Sequence, residues 1–250
     1  MWNPEQYNKY SEQRNRPAIE LIERIPPKSY KSIIDLGCGD GVITKMLLDR
    51  YNPEHIVGVD NSSSMLEKAQ LTPTDINWQL SDITDFTGNY DLIFSNAALQ
   101  WLNNHNVLFK QLVQQTNNTL AIQMPNNFDA PSHVLLRETI LENPRFKDKL
   151  ASTIRTAPVM SKQDYYQLLC DNMSYLDIWE TQYLQLLTGN SPILEWVRGT
   201  ALVPIREKLT ADEYTEFEMK YNEKLKQTYK PASNGVTLFP FSRIFIVASR

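Results

Sequence analysis

The sequence predicts an α/β fold: a doubly wound, mostly parallel sheet with helices on both faces and a helical cap. Three observations predict it. A glycine turn, Gly37-Cys38-Gly39-Asp40-Gly41, stands between an apolar run and a segment of helical periodicity, so it reads as strand, turn, helix. Apolar runs of strand length then alternate with helical stretches as far as Pro125, the pattern of a parallel sheet. Beyond Pro125 the alternation gives way to longer helical segments.

Taken in order, residues from about 4 to 24 read as a helix interrupted near Pro17, with Ala18, Leu21, Ile22 and Ile25 as its apolar stripe. Pro26-Pro27 breaks it. Ile33–Leu36 is the first strand and leads through the glycine turn to a helix from Val42. Ile56–Asp60 is the second strand, with a helix over Ser62–Leu71 behind it, and Ile76–Leu80 is the third. Leu92–Ser95 is the fourth, followed by a helix around Asn106–Gln115. Thr119–Met124 is the fifth, stopped by Pro125. A helix from Pro131 to about Leu141, a second over Lys162–Met173, an alternating strand at Leu176–Leu184 and a last strand at Ile244–Ala248 complete the chain. The connection between the last two strands, Gly189–Phe241, is long, with helical stretches at Pro192–Arg198 and Ala211–Tyr229. Insertions of that length tend to carry function. The expectation is one domain over residues 1–250, with cap elements at about 1–25, 126–160 and 189–235.

Composition narrows the function. The 250 residues are 42% hydrophobic, enough for a substantial core, and the formal net charge is −4. That balance lacks the basic footprint of a nucleic-acid binder. Cys38 and Cys170 are the two cysteines, too few for a disulfide framework and without metal-ligand spacing. The N-terminal residues lack the basic and apolar regions of a signal peptide, and no apolar run approaches membrane-spanning length. A monomeric cytoplasmic protein is the expectation, with no nucleic-acid or membrane partner.

The glycine turn carries the chemistry. A turn of this kind lets a nucleotide-like ligand lie against the backbone. Its spacing is G-x-G-x-G rather than the G-x-G-x-x-G of dinucleotide folds. Asp35 lies two residues before Gly37, where a carboxylate would repel a pyrophosphate. It suits a ligand with an ammonium or sulfonium charge, and S-adenosylmethionine (SAM) has both. Asp60 ends the second strand about 20 residues past the glycines, the position that meets ribose hydroxyls in doubly wound sheets. Asp82 ends the third strand and could accept from an adenine amino group, with Ile83 flanking the ring. Asn96 and Ala97 end the fourth, onto the same crevice. Arg16, Gly37, Cys38, Gly39, Asn61 and Met65 complete the expected SAM set. Each acid alone reads equally as a helix cap; their order along the chain favours the ligand.

These residues resemble the class I SAM-dependent methyltransferases, built on a Rossmann-like seven-stranded sheet. A closer resemblance, to the trans-aconitate 2-methyltransferase family, is carried by Trp2-Asn3-Pro4 with Tyr7, Arg14 to Ala18, Asp35 to Gly39, Asn96 to Leu102, Gln123 to Asn127, His133 to Glu138 and Phe239 to Ala248. It implies methyl ester formation on a small polycarboxylate, with SAM as donor and no metal. By resemblance Tyr7 faces the pocket, and Arg16 meets the SAM carboxylate or the substrate.

A carboxylate nucleophile is ionised near neutral pH, so no general base is expected; alignment and exclusion of water should suffice. Holding the remaining carboxylates calls for arginine. The candidates are Arg14, Arg16, Arg137, Arg198, Arg206 and Arg243. His133 and Arg137 share a helix face at i, i+4, and with Arg198 they are the expected cap contacts. Gln100 and Trp101 follow the fourth strand and are expected to contact the substrate, as a polar anchor close to the reacting carboxylate and a pocket wall, against the plainer reading of Trp101 as core packing. His105 reads as a helix start rather than a base. Two competing readings are a carboxyl methyltransferase acting on a malonyl thioester of acyl carrier protein, with Lys147, Lys149 and Arg155 as a mild basic cluster, and a non-catalytic SAM-binding module. An RNA methyltransferase and a nicotinamide dehydrogenase fit less well.

Overall fold

A computed structural model describes residues 11–71, 75–156 and 158–250. Seven strands form one sheet: β1 (Ser32–Leu36), β2 (His55–Asp60), β3 (Asn77–Leu80), β4 (Tyr90–Asn96), β5 (Thr116–Pro125), β6 (Tyr175–Leu187) and β7 (Thr237–Ser249). Their order is β3-β2-β1-β4-β5-β7-β6. β1 pairs in parallel with β2 and β4, β2 with β3, and β4 with β5, whereas β7 runs antiparallel to β5. The order reverses between β1 and β4, and such a switch point opens a crevice at the carboxyl ends of the strands. The helices are α1 (Ser11–Arg24), α2 (Val42–Tyr51), α3 (Ser63–Ala69), α4 (His105–Gln115), α5 (Pro131–Glu142), α6 (Pro144–Leu150), α7 (Lys162–Leu169), α8 (Pro192–Arg198), α9 (Val203–Lys208) and α10 (Ala211–Thr228).

The central strands read as unbroken apolar runs because both faces are covered. Ile33, Ile34, Leu36, Leu92, Ile93, Phe94, Leu120, Ala121 and Ile122 are all buried. Between β1 and β4 the Ser95 hydroxyl donates to the Leu36 carbonyl at 2.7 Å, so a polar residue inside the sheet is satisfied.

Two compact units emerge. One holds the sheet's parallel part and comprises Arg14–Pro125, Pro158–Thr181 and Arg243–Arg250. The other includes Asn126–Ala157 and Gln182–Ser242. Its core is its own: Phe146, Trp196, Phe217, Tyr221 and Phe239 bury together with aliphatic residues from α5, α6, α8, α9 and α10. Phe146 and Phe217 meet edge-on with centroids 5.3 Å apart, a favoured aromatic geometry. A capping box at Thr210 and Glu213 starts α10.

Three elements differ from the sequence reading. α1 continues through Pro17, which is buried; the buried stripe of Ala18, Leu21 and Ile22 offsets the lost backbone bond, as packing overrides propensity. α6 and α9 were not read as helices, being 7 and 6 residues long, too short to show a periodicity. β6 and β7 each reach 13 residues, well beyond the apolar alternation that marked them.

Candidate functional site

The carboxyl ends of β1, β2 and β4 build the site within the sheet-bearing unit. Asp35, at 2% exposure, accepts a 2.6 Å bond from the Thr44 hydroxyl on α2. Burial pushes its carboxyl up to about 7; the Thr44 bond opposes the shift and nearby Asp60 adds to it. Gly37 and Cys38 both donate backbone N–H groups to the Val59 carbonyl, at 2.8 and 3.0 Å, which folds the turn back across β2. Gly37 has φ +80, and a Cβ there would lie 2.2 Å from the Ala98 Cβ. Gly39 has φ +56 with nothing within 4 Å of an added Cβ. One glycine allows close packing and the other leaves an open floor.

Asp60 is held by two backbone donors: Gly39 N–H to Oδ2 and Ser62 N–H to Oδ1, each 2.9 Å. Both oxygens keep acceptor capacity for hydroxyl donors. Asp82 accepts from the Thr84 N–H and hydroxyl at 2.9 and 2.8 Å, bonds that, with a contribution from Asn61, lower its carboxyl below the usual range. So Asp82 is a cap of the Ile83–Asp85 turn. The Ile83 side chain reaches to 3.5 Å from the position of a Cβ on Gly37. Met65 is buried on α3. The Cys38 thiol is raised far above its ordinary value, by burial first and then by Asp35 and Asp60, which makes it an inert packing group.

Beyond β4, Ala97 takes a left-handed conformation at φ +55, a strained choice for a residue with a Cβ. Its N–H donates to the Gln123 carbonyl at 2.8 Å, and its carbonyl accepts from Gln100 Nε2 at 2.5 Å. Gln100 is buried and its Oε1 has no hydrogen-bond partner; the same holds for Asn96 Oδ1. Two orphaned acceptors, two carboxylates and an open glycine floor fit a cationic ligand with an amine and a vicinal diol. SAM has this chemistry. An orphaned Gln100 oxygen also suits an ammonium better than a substrate carboxylate, since two acceptors repel.

The other predicted residues are spread more widely. Arg16 pairs with Glu20 at 2.9 Å on the surface of α1. Trp101 is 47% exposed, so it does not pack in the core. His133 and Arg137 lie in the second unit on α5, where Arg137 Nη1 donates to the Phe128 carbonyl at 2.7 Å. His133 rests on the Phe128 ring, 5.3 Å between centroids, and burial, then Arg137, pushes it down to about 4, so it is neutral near pH 7. Arg198 grips Glu218 bidentately at 2.7 and 2.5 Å, so its fork is engaged within its own unit. Tyr7 lies outside the described residues.

A model described as a methyltransferase domain matches residues 33–120. Trans-aconitate 2-methyltransferases are similar over the full length: that of Azoarcus sp. (strain BH72) is 38% identical, covering 100% of this chain and 99% of its own. That of Streptomyces avermitilis is 39% identical, with coverages of 100% and 97%. The chain belongs to the trans-aconitate 2-methyltransferase family. Among solved structures, the YcgJ protein of Bacillus subtilis is 14% identical with a TM-score of 0.58, covering 94% of this chain and 98% of its own. A Haemonchus contortus phosphoethanolamine N-methyltransferase in complex with S-adenosylhomocysteine gives a TM-score of 0.54 at 14% identity, over 94% of this chain and 52% of its own. Both share the Rossmann-like methyltransferase fold, as the resemblance implied.

Three features of this family member escaped the sequence reading. Thr44, one turn into α2, orients Asp35 and was unmarked because a threonine in a helix signals nothing by itself. His105 bonds across the sheet-bearing unit to Tyr165, a pairing 60 positions apart that only the fold reveals. Gln123 and Arg243, 120 positions apart, meet at 3.2 Å in the sheet interior.

Proposed function

We propose that this chain is a SAM-dependent carboxyl O-methyltransferase that forms a methyl ester on a small polycarboxylate, trans-aconitate first among them. The carrying observation is full-length similarity to trans-aconitate 2-methyltransferases, together with the unmet acceptors Asn96 Oδ1 and Gln100 Oε1 at the end of β4. When bound, SAM supplies an electrophilic methyl group on a sulfonium. Asp60 accepts from the ribose hydroxyls, Asp35 and the Asn96 and Gln100 oxygens take the ammonium end, and Ile83 and Met65 line the adenine. Asp82 and Asn61 close the base end, Gly37, Cys38 and Gly39 form the floor, and Ala97 sets the loop. Arg16 is assigned to the SAM carboxylate. Tyr7, Trp101, His133, Arg137 and Arg198 are assigned to the substrate.

The chain needs no base. The nucleophile is an ionised carboxylate at neutral pH, so the residues contribute orientation and a dry surrounding. His133, held neutral, is not an acid that could protonate it. The test is methyl transfer from labelled SAM to a panel of trans-aconitate, cis-aconitate, citrate, isocitrate and a malonyl thioester, with products identified by mass spectrometry. A monomethyl ester of trans-aconitate is expected. Turnover of the thioester alone moves the chain to the carrier-protein reading.

A further inference from the structure

On β7, Arg243 is 4% exposed, and its Nη1 donates to Gln123 Oε1 on β5 at 3.2 Å. Gln123 is fully buried. A guanidinium has only donors, so the glutamine must offer it the amide oxygen. That turns Nε2 away, and Gln123 Nε2 is buried with no hydrogen-bond partner. An orphaned amide N–H is costly, and so is taking a guanidinium out of water. On the same sheet face, Phe94, Ala121 and Phe245 are fully buried, so apolar side chains fill this layer where packing is all that is required.

The register fixes where the pair stands. Asp35 pairs with Phe94, Asn96 with Gln123, and Gln123 with Phe245. Paired residues and those two apart share a sheet face, so Asp35, Asn96, Gln123 and Arg243 project on one face, toward the carboxyl ends of the parallel strands. Neighbouring strands are about 4.8 Å apart. The donors on β5 and β7 therefore adjoin the acceptors on β1 and β4. Acceptors suit the cation of the methyl donor; a guanidinium beside an unmet amide N–H suits an anion.

We propose that Arg243 and Gln123 form a subsite for a carboxylate of the substrate other than the one that is methylated. This rests on the reading of the substrate as a polycarboxylate. A carboxylate clamped by an arginine and an amide N–H is a poor nucleophile, because its charge is spent on donors. Holding a second carboxylate here leaves the reacting one unencumbered, and it selects acids with two or more carboxylates over monocarboxylates.

The experiment uses Gln123→Glu, which keeps size, gives Arg243 a carboxylate partner and places negative charge where the substrate's would bind. Arg243→Lys, which keeps charge and loses the fork, is the second variant and decides the matter if the first does not fold. Trans-aconitate binding is measured by calorimetry in the presence of S-adenosylhomocysteine, together with S-adenosylhomocysteine binding alone and with turnover. Loss of trans-aconitate affinity by roughly 10- to 100-fold, the equivalent of one charge-assisted bond, with S-adenosylhomocysteine binding within twofold, is the expected result. Trans-aconitate affinity within twofold of the parent in the variant that folds overturns the subsite and leaves the methyl-transfer reading standing. A parent protein that binds trans-aconitate without methylating it, while the variants lose binding, keeps the subsite and overturns the proposed reaction. A parent protein that binds no polycarboxylate overturns both.

Discussion

His105 Nδ1 lies 2.6 Å from the Tyr165 hydroxyl, while His105 Nε2 lies 2.9 Å from the Leu99 carbonyl oxygen. A carbonyl only accepts, so Nε2 carries the hydrogen, and in the neutral ring Nδ1 accepts from the Tyr165 hydroxyl. The Met160 N–H donates to the same hydroxyl at 3.2 Å. Both side chains are buried, and Leu99 begins the turn that contains Gln100. The pair thus holds in place the turn that carries Gln100.

Tyr165→Phe removes the donor to a buried nitrogen and leaves the packing against Phe109 in place. Urea denaturation should show a loss of about 1–3 kcal/mol. A loss below about 0.5 kcal/mol, the size of an ordinary surface change, would return Tyr165 to a packing role.

Asp35 sets a pH dependence on donor binding. Burial holds its carboxyl well above the ordinary 3.8, pushed up to about 7. The raised value means the folded chain favours the protonated form. That contribution to stability is complete below 3.8 and declines as pH rises through about 7. A cationic ligand favours the ionised form, so SAM affinity should climb with pH toward 7, by up to about tenfold per pH unit, with proton release. Calorimetry in buffers of different ionisation enthalpy measures this. Asp35→Asn should bind more weakly and without the slope; the same slope in that variant would assign the proton elsewhere.

Asp60 ties two backbone N–H groups as well as facing the expected ribose. Asp60→Ala should therefore weaken SAM by tenfold or more and also cost about 1–2 kcal/mol of stability, since each lost bond is worth about 1 kcal/mol. Unchanged SAM affinity by calorimetry would remove Asp60 from the ribose.

Much of this was legible in the sequence, for a physical reason. The parallel strands are buried on both faces, so they appear as apolar runs, and the acids at their ends follow from strand, turn and helix order. Asp35, Gly37, Gly39 and Asp60 could be placed that way before any contact was known. The turn carrying Gln100 could not, because it is shaped by His105 and by the left-handed Ala97. Nor could the Arg243–Gln123 pair, because burial of an arginine depends on β7 entering the sheet antiparallel beside β5. The roles of Arg16 and Arg198 were the least legible. Whether an arginine binds a ligand or a neighbouring glutamate is decided by partners such as Glu20 and Glu218, which no spacing rule identifies.

His133 carries the opposite pH signature from Asp35. Burial and Arg137 push it down to about 4 from 6.5, so the unfolded chain takes up a proton before the folded one does. Its contribution to stability is complete above 6.5 and is lost as pH falls toward 4. His133→Gln should flatten acid denaturation between pH 6.5 and 4, measured by urea titration at a series of pH values. A parent-like slope in that variant would place the titrating group elsewhere.

The two glycines of the turn separate packing from ligand access. At Gly37 an added methyl lies 2.2 Å from the Ala98 Cβ, far inside van der Waals contact, and the positive φ adds strain. Gly37→Ala should lower stability by several kcal/mol, as overpacking of about 1–3 kcal/mol joins a left-handed penalty of about 1–2 kcal/mol. At Gly39 the added methyl meets nothing within 4 Å, so only the left-handed penalty of about 1–2 kcal/mol applies. Yet that open space is where the ligand is expected to lie against the backbone. Gly39→Ala should fold, lose little in thermal midpoint and bind SAM at least tenfold more weakly. The discriminating measurement is SAM affinity by calorimetry in Gly39→Ala, alongside its melting curve. A variant that melts a few degrees early and binds SAM normally would show that the floor beside Gly39 is solvent, not donor site.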